Sequence, residues 1–290
     1  MKKLAFLLAL LLLLTGCAAP EKPAQVAATT LPVYDFTVRL CAGTDITVTR
    51  LVTEQVSCLH DYSLNVKQVK AAEAAQLIVI SGAGLESFLD GILDDANIVD
   101  ASQGIELFCM KNADDHAHEG EGLHHDSDPH IWLSPANARV MAENIHAGLS
   151  RQYPQYADTF NANLTTLLAE LDALNEYGQN ALSQLSCREL ITFHDGFPYF
   201  ADAFNLTILE AVEEESGREA SAQELIHLIR DVEEHHLPAI FIEKSGSVSA
   251  AGIISRETGC GEFTLDMAMA GDSYFDAMYH NIDTIKEALQ

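Results

Sequence analysis

Between Pro154 and Leu185, apolar side chains recur at helical spacing: Phe160, Leu164, Leu167, Leu168, Leu171, Leu174, Ala181, Leu182 and Leu185. Pro154 suits a first helical turn. A helix over 154–185 would run roughly 45 Å at 1.5 Å per residue. What flanks it is different in kind. Upstream, 46–51, 77–80 and 105–108 read as strands, with a helix over 64–75. Downstream, 189–193, 206–209, 239–242 and 262–265 read as strands. A helix over 221–236 presents Leu225, Leu228, Ile229 and Val232 on one face, and Ser221 with Glu224 forms a capping box at its start. Alternating strands and helices predict a parallel sheet covered by helices. The expected fold is α/β, with two lobes at 26–153 and 186–290. Each lobe has a mainly parallel sheet flanked by helices, and one long rigid linker helix, 154–185, joins them.

The start of the chain bears on its compartment. Met1-Lys2-Lys3 is a short basic segment, and Leu4 to Leu14 is an apolar run too short for a stable membrane span. The run ends in Leu14-Thr15-Gly16-Cys17, the pattern of a bacterial lipobox. Residues 1–16 are expected to be a lipoprotein signal peptide, Cys17 the lipidated residue, and 17–25 an extended linker carrying Pro20 and Pro23. The chain is then extracytoplasmic and held to the bacterial cell membrane by lipid. Its 43 acidic residues outnumber 16 basic ones, a net charge of −27. Such a surface repels nucleic acid and attracts cations.

Cys17 aside, five cysteines remain. An oxidising exterior permits disulfides. Cys187 and Cys260 fall in one half of the chain and could be bridged there. Cys41 and Cys58 are a second candidate pair, which leaves Cys109 odd. Sequence does not fix the pairing.

Three of the twelve histidines share a context. His60 comes after a strand pattern, His194 follows the strand pattern 189–193, and His130 lies in Asp128-Pro129-His130-Ile131-Trp132-Leu133-Ser134-Pro135 after the acidic loop. Ligands of open α/β sheets bind at the carboxyl ends of strands, so two facing lobes would point such residues into one cleft. Neutral imidazole binds borderline metals through a ring nitrogen. Asp266, after the strand 262–265, is the best fourth ligand for a closed shell, and Glu243 at another strand end is a supporting carboxylate. The segment 114–128 has almost no apolar content and carries His116, His118, His124 and His125. It reads as a loop without a core of its own, able to gather metal weakly.

These segments also carry a resemblance. His60-Asp61-Tyr62, Gly82-Ala83-Gly84-Leu85-Glu86, Asp128 to Pro135, Phe193-His194-Asp195-Gly196-Phe197-Pro198 and Thr264-Leu265-Asp266 together resemble the motifs of the zinc and manganese solute-binding lipoproteins of ABC importers. The resemblance covers nearly all of the chain after the linker. It implies His60, His130, His194 and Asp266 as metal ligands. It also implies capture of a divalent cation without catalysis, and an ABC permease with its cytoplasmic ATPase as partners of a monomeric protein. The family's manganese members tend to carry Glu where His194 stands, and three imidazoles favour Zn2+ over Mn2+, which prefers oxygen. Manganese or iron binding by the same fold is the alternative. An exported zinc hydrolase is a reading of another class, and it would need an open coordination position for water. Leu59, Ser63 and Met267 depart from the family's usual Pro, Glu and Pro.

Overall fold

A computed structural model of the chain describes residues 25–54, 59, 62–91, 97–109, 127–212, 220–244 and 249–290. The signal peptide and Cys17, His60, Cys58 and the loop histidines His116, His118, His124 and His125 lie outside the described residues.

Two four-stranded sheets form the frame. The first holds β1 (Gln25–Ala28), β2 (Thr47–Arg50), β3 (Leu77–Ile80) and β4 (Ile98–Asp100) in the order β2-β1-β3-β4. The second holds β5 (Glu189–Thr192), β6 (Thr207–Ala211), β7 (Ala239–Glu243) and β8 (Gly261–Leu265) in the order β6-β5-β7-β8. Every pairing is parallel. Strand order therefore reverses between β1 and β3 in one lobe and between β5 and β7 in the other. At such points the crossover helices diverge and leave a crevice.

Helices supply the covering layers: α1 (Leu31–Leu40), α2 (Val66–Ala74), α3 (Pro135–Gln152), α4 (Ala157–Ala181), α5 (Pro198–Ala203), α6 (Ala222–Glu234), α7 (Ser249–Thr258) and α8 (Tyr274–Leu289). Local chemistry explains their starts. Asn65 caps α2, and Gln68 reaches back to the Asn65 backbone. Ser221 and Glu224 do the same for α6, as the sequence pattern requires. Ser134 caps α3, with Pro135 in its first turn.

The middle helix differs from expectation. Pro154–Tyr156 forms a separate 3-10 turn, and the α-helix runs only over Ala157–Ala181. Tyr153 and Tyr156, with φ near −128° and −106°, break the α geometry on entry. This helix packs on α1 and α3 of the first lobe and on α8 of the second. The expected strand at 105–108 is also absent. Gly104 turns the chain at φ +81°. The run then leaves its sheet, and Phe108 stacks on Tyr199 of the other lobe at 4.5 Å.

One apolar core runs through both lobes. It joins Val26, Phe36 and Leu40 to Phe241, Leu265, Tyr274 and Ile282. Tyr274 is fully buried, its ring meets Phe36 edge-on at 5.0 Å, and its amide donates to Asp35 at 3.1 Å. Truncating Phe36 to Ala would cost about 3–5 kcal/mol. Smaller clusters back the outer faces of the sheets, one around Ile78 and Leu51 and one around Ile240, Leu228 and Ile254.

The candidate bridge between Cys187 and Cys260 is not made: both thiols are free, as are Cys41 and Cys109. The topology gives the reason. Cys187 precedes β5 and Cys260 precedes β8, and β7 lies between those strands. Two strand spacings are roughly 9–10 Å, beyond the ~7 Å that a disulfide spans between Cα atoms. Among the described residues, no helix is long and apolar enough to cross a membrane.

Candidate metal centre

His130 and His194 meet between the lobes. His130 comes from the first, as the residue before the 3-10 turn Ile131–Leu133 that leads into α3. His194 comes from the second, two residues past β5 at the switch point. Both are buried, at 2% and 6% relative exposure. Their Nε2 atoms stand 3.4 Å apart, with the rings nearly perpendicular at 84°. That is long for a hydrogen bond between nitrogens. Two zinc–nitrogen bonds of about 2.0–2.1 Å meeting at a tetrahedral angle place their nitrogens roughly 3.3–3.4 Å apart.

Each imidazole backs onto a buried carboxylate. Asp128 Oδ1 lies 2.7 Å from His130 Nδ1 and accepts the His130 backbone amide at 2.9 Å. This contact places the proton on Nδ1 and leaves the Nε2 lone pair facing the cleft. On the other side, Glu243 Oε2, at the end of β7, lies 3.8 Å from His194 Nδ1. Two imidazoles flanked by two buried carboxylates form an environment suited to a divalent cation.

Neighbours hold the pair in place. Tyr199 on α5 donates to the Asp128 carbonyl at 3.0 Å and receives the Phe108 amide at 2.9 Å. Burial pushes its hydroxyl up to about 12, so it stays a donor. Trp132 is fully buried, meets the His130 ring edge-on, and donates to the Met267 carbonyl at 2.8 Å. Tyr274 donates to the Trp132 carbonyl at 2.8 Å. Gly196 leaves room for the pair, because a Cβ there would press on Met267 Cε at 2.5 Å and His194 Cδ2 at 2.6 Å.

Asp266 is placed differently. Its backbone is clamped by the fully buried Asn281 of α8: the Asp266 amide donates to Asn281 Oδ1, and Asn281 Nδ2 donates to the Asp266 carbonyl, each at 2.7 Å. Its Oδ1 accepts the Ala268 amide at 2.8 Å, and its Oδ2 faces Lys244 Nζ at 3.3 Å. Among the described residues, Asp266 does not join His130 and His194 in a set whose ligand atoms all lie within 4.8 Å of one another. Asp128 and Asn281 are partners of the candidate ligands that the residue reading did not single out. Asp128 was legible, since an acid two residues before a ligand histidine can reach its ring. Asn281, fifteen residues beyond Asp266 on another element, left no signal.

Two parallel α/β lobes with paired histidines in the crevice between them define a two-lobed α/β fold with a histidine-lined cleft. The chain belongs to the family described as zinc-uptake complex component A, periplasmic, whose model matches residues 26–288. The zinc-binding lipoprotein AdcA of Streptococcus pneumoniae is 28% identical over 99% of this chain and 61% of the relative. The zinc-binding protein AdcA of Streptococcus pyogenes is 27% identical over 92% of this chain and 56% of the relative. The chain thus spans about three-fifths of the length of these curated relatives. Among solved structures, a crystal structure of ZnuA superposes with a TM-score of 0.81 at 29% identity, covering 93% of this chain and 100% of that one. The metal-dependent lipoprotein YcdH from Bacillus subtilis gives 0.77 at 26% identity, covering 92% and 99%.

Proposed function

We propose that this protein captures Zn2+ outside the cytoplasm, anchored by lipid at Cys17, and delivers it to an ABC permease and its ATPase. The observation that carries this reading is the 3.4 Å separation of two buried Nε2 atoms contributed by opposite lobes. The names of the relatives and neighbours, several of them zinc-binding, support it.

In this reading His130 and His194 form the fixed part of the shell, and His60 and Asp266 complete it. Recruiting Asp266 means leaving Lys244, whose side chain is 59% exposed. Such a pair contributes only about 0–1 kcal/mol, little beside metal coordination. A shell closed by four protein ligands binds without turnover, because no position is left for an activated water. The net charge of −27 draws cations toward the cleft.

Competitive titration tests the reading. Full-length protein is expected to take up one tight equivalent of zinc that excess manganese does not displace. Equal retention of manganese would overturn the assignment of the cargo.

A further inference from the structure

A second group of ligand side chains lies away from the cleft. We propose that Glu210, His227 and Asp231 form a separate site for a divalent cation of borderline character such as zinc. Among the described residues they are the only three histidine, cysteine or carboxylate side chains whose ligand atoms all lie within 4.8 Å of one another.

The fold brings them together for identifiable reasons. His227 and Asp231 stand one turn apart on α6, so their side chains share a face. Glu210 comes from β6, the edge strand of the second sheet. The β5–β6 register shifts between Leu190 and Ile191, so that Leu190 pairs with Ile208 and Ile191 with Glu210. Bulges re-aim side chains at sheet edges, and this one directly precedes Glu210.

The contact between His227 and Asp231 is the second observation. His227 Nδ1 lies 2.8 Å from Asp231 Oδ2, yet Oδ2 is shielded from solvent and makes no hydrogen bond. The two atoms are close but not in line. That geometry suits two lone pairs directed at a common third body, and a shielded acceptor without a donor calls for a partner. A cation supplies one. One imidazole and two carboxylates leave room for water in a four-coordinate zinc shell, and their two negative charges match the ion. With the His227 side chain 61% exposed, this site binds more weakly than the buried pair. Glu210 also lines a cavity of about 420 Å³ that is bordered by Asp128, Asp195 and Asp202.

This inference does not depend on what fills the cleft. The test uses full-length protein with 15N-labelled histidine, already holding one equivalent of zinc. Further zinc is added while the imidazole resonances are followed, and His227→Gln assigns its signal. The expected result is a saturable shift of the His227 resonance, weakened about tenfold or more by combined Glu210→Gln and Asp231→Asn. No His227 shift at excess zinc would overturn the proposal, as would a shift that the double substitution leaves unchanged.

Discussion

The two sheets share one strand order, yet their switch points are put to opposite uses. In the first lobe the carboxyl ends of β1 and β3 are closed by Glu86. Buried at 4% exposure, it accepts Thr29 Oγ1 at 2.7 Å and the amides of Ser81 and Gly82 at 2.7 and 3.0 Å. All three donors belong to its own lobe, so the carboxylate tightens a turn. In the second lobe the ends of β5 and β7 carry His194 and Glu243, and His194 faces the opposite lobe. Topology locates a crevice, but the side chain that crosses it makes a site.

Substitutions sharpen the contrast. The largest expected effect is at the crossing residues. His130→Ala or His194→Ala should weaken zinc binding by well over the ~10–100-fold that loss of an outer partner costs, as read by competition with a zinc chelator. Asp128→Asn should fall within that ~10–100-fold range, because the His130 ring loses the carboxylate that fixes its tautomer.

Glu86→Gln should leave zinc affinity unchanged and alter stability instead. Burial raises the Glu86 carboxyl from 4.5 to about 7, outweighing its three hydrogen bonds. The folded state then holds the proton more tightly than the unfolded chain. This group's contribution is fullest below pH 4.5 and is lost as pH rises toward 7. Across that window, thermal melts of Glu86→Gln should lose less stability with rising pH than those of the wild type. The smallest effect concerns the thiols. With Cys187 and Cys260 unbridged, adding dithiothreitol should leave the melting temperature unchanged.

Much of this contrast was legible from residues alone. β3 falls where Leu77-Ile78-Val79-Ile80 places it, and the α6 cap is the Ser221–Glu224 pair that the spacing shows. β1 was not legible: Gln-Val-Ala-Ala has one β-branched residue, and only pairing on both sides makes it a central strand. The misreading at 105–108 has the opposite cause. Ile-Glu-Leu-Phe alternates as a strand does, but its Phe108 is spent on Tyr199 across the cleft. The meeting of His130 and His194 was expected from the family resemblance of the segments around them rather than from their spacing. The Lys244–Asp266 pair was not, since it depends on how β7 and β8 lie side by side.

The most direct measurement is anomalous diffraction at the zinc edge from zinc-loaded crystals. The strongest peak is expected between the lobes, within about 2.0–2.1 Å of Nε2 of both His130 and His194. A strongest peak elsewhere, with those two nitrogens still in mutual contact, would contradict the account.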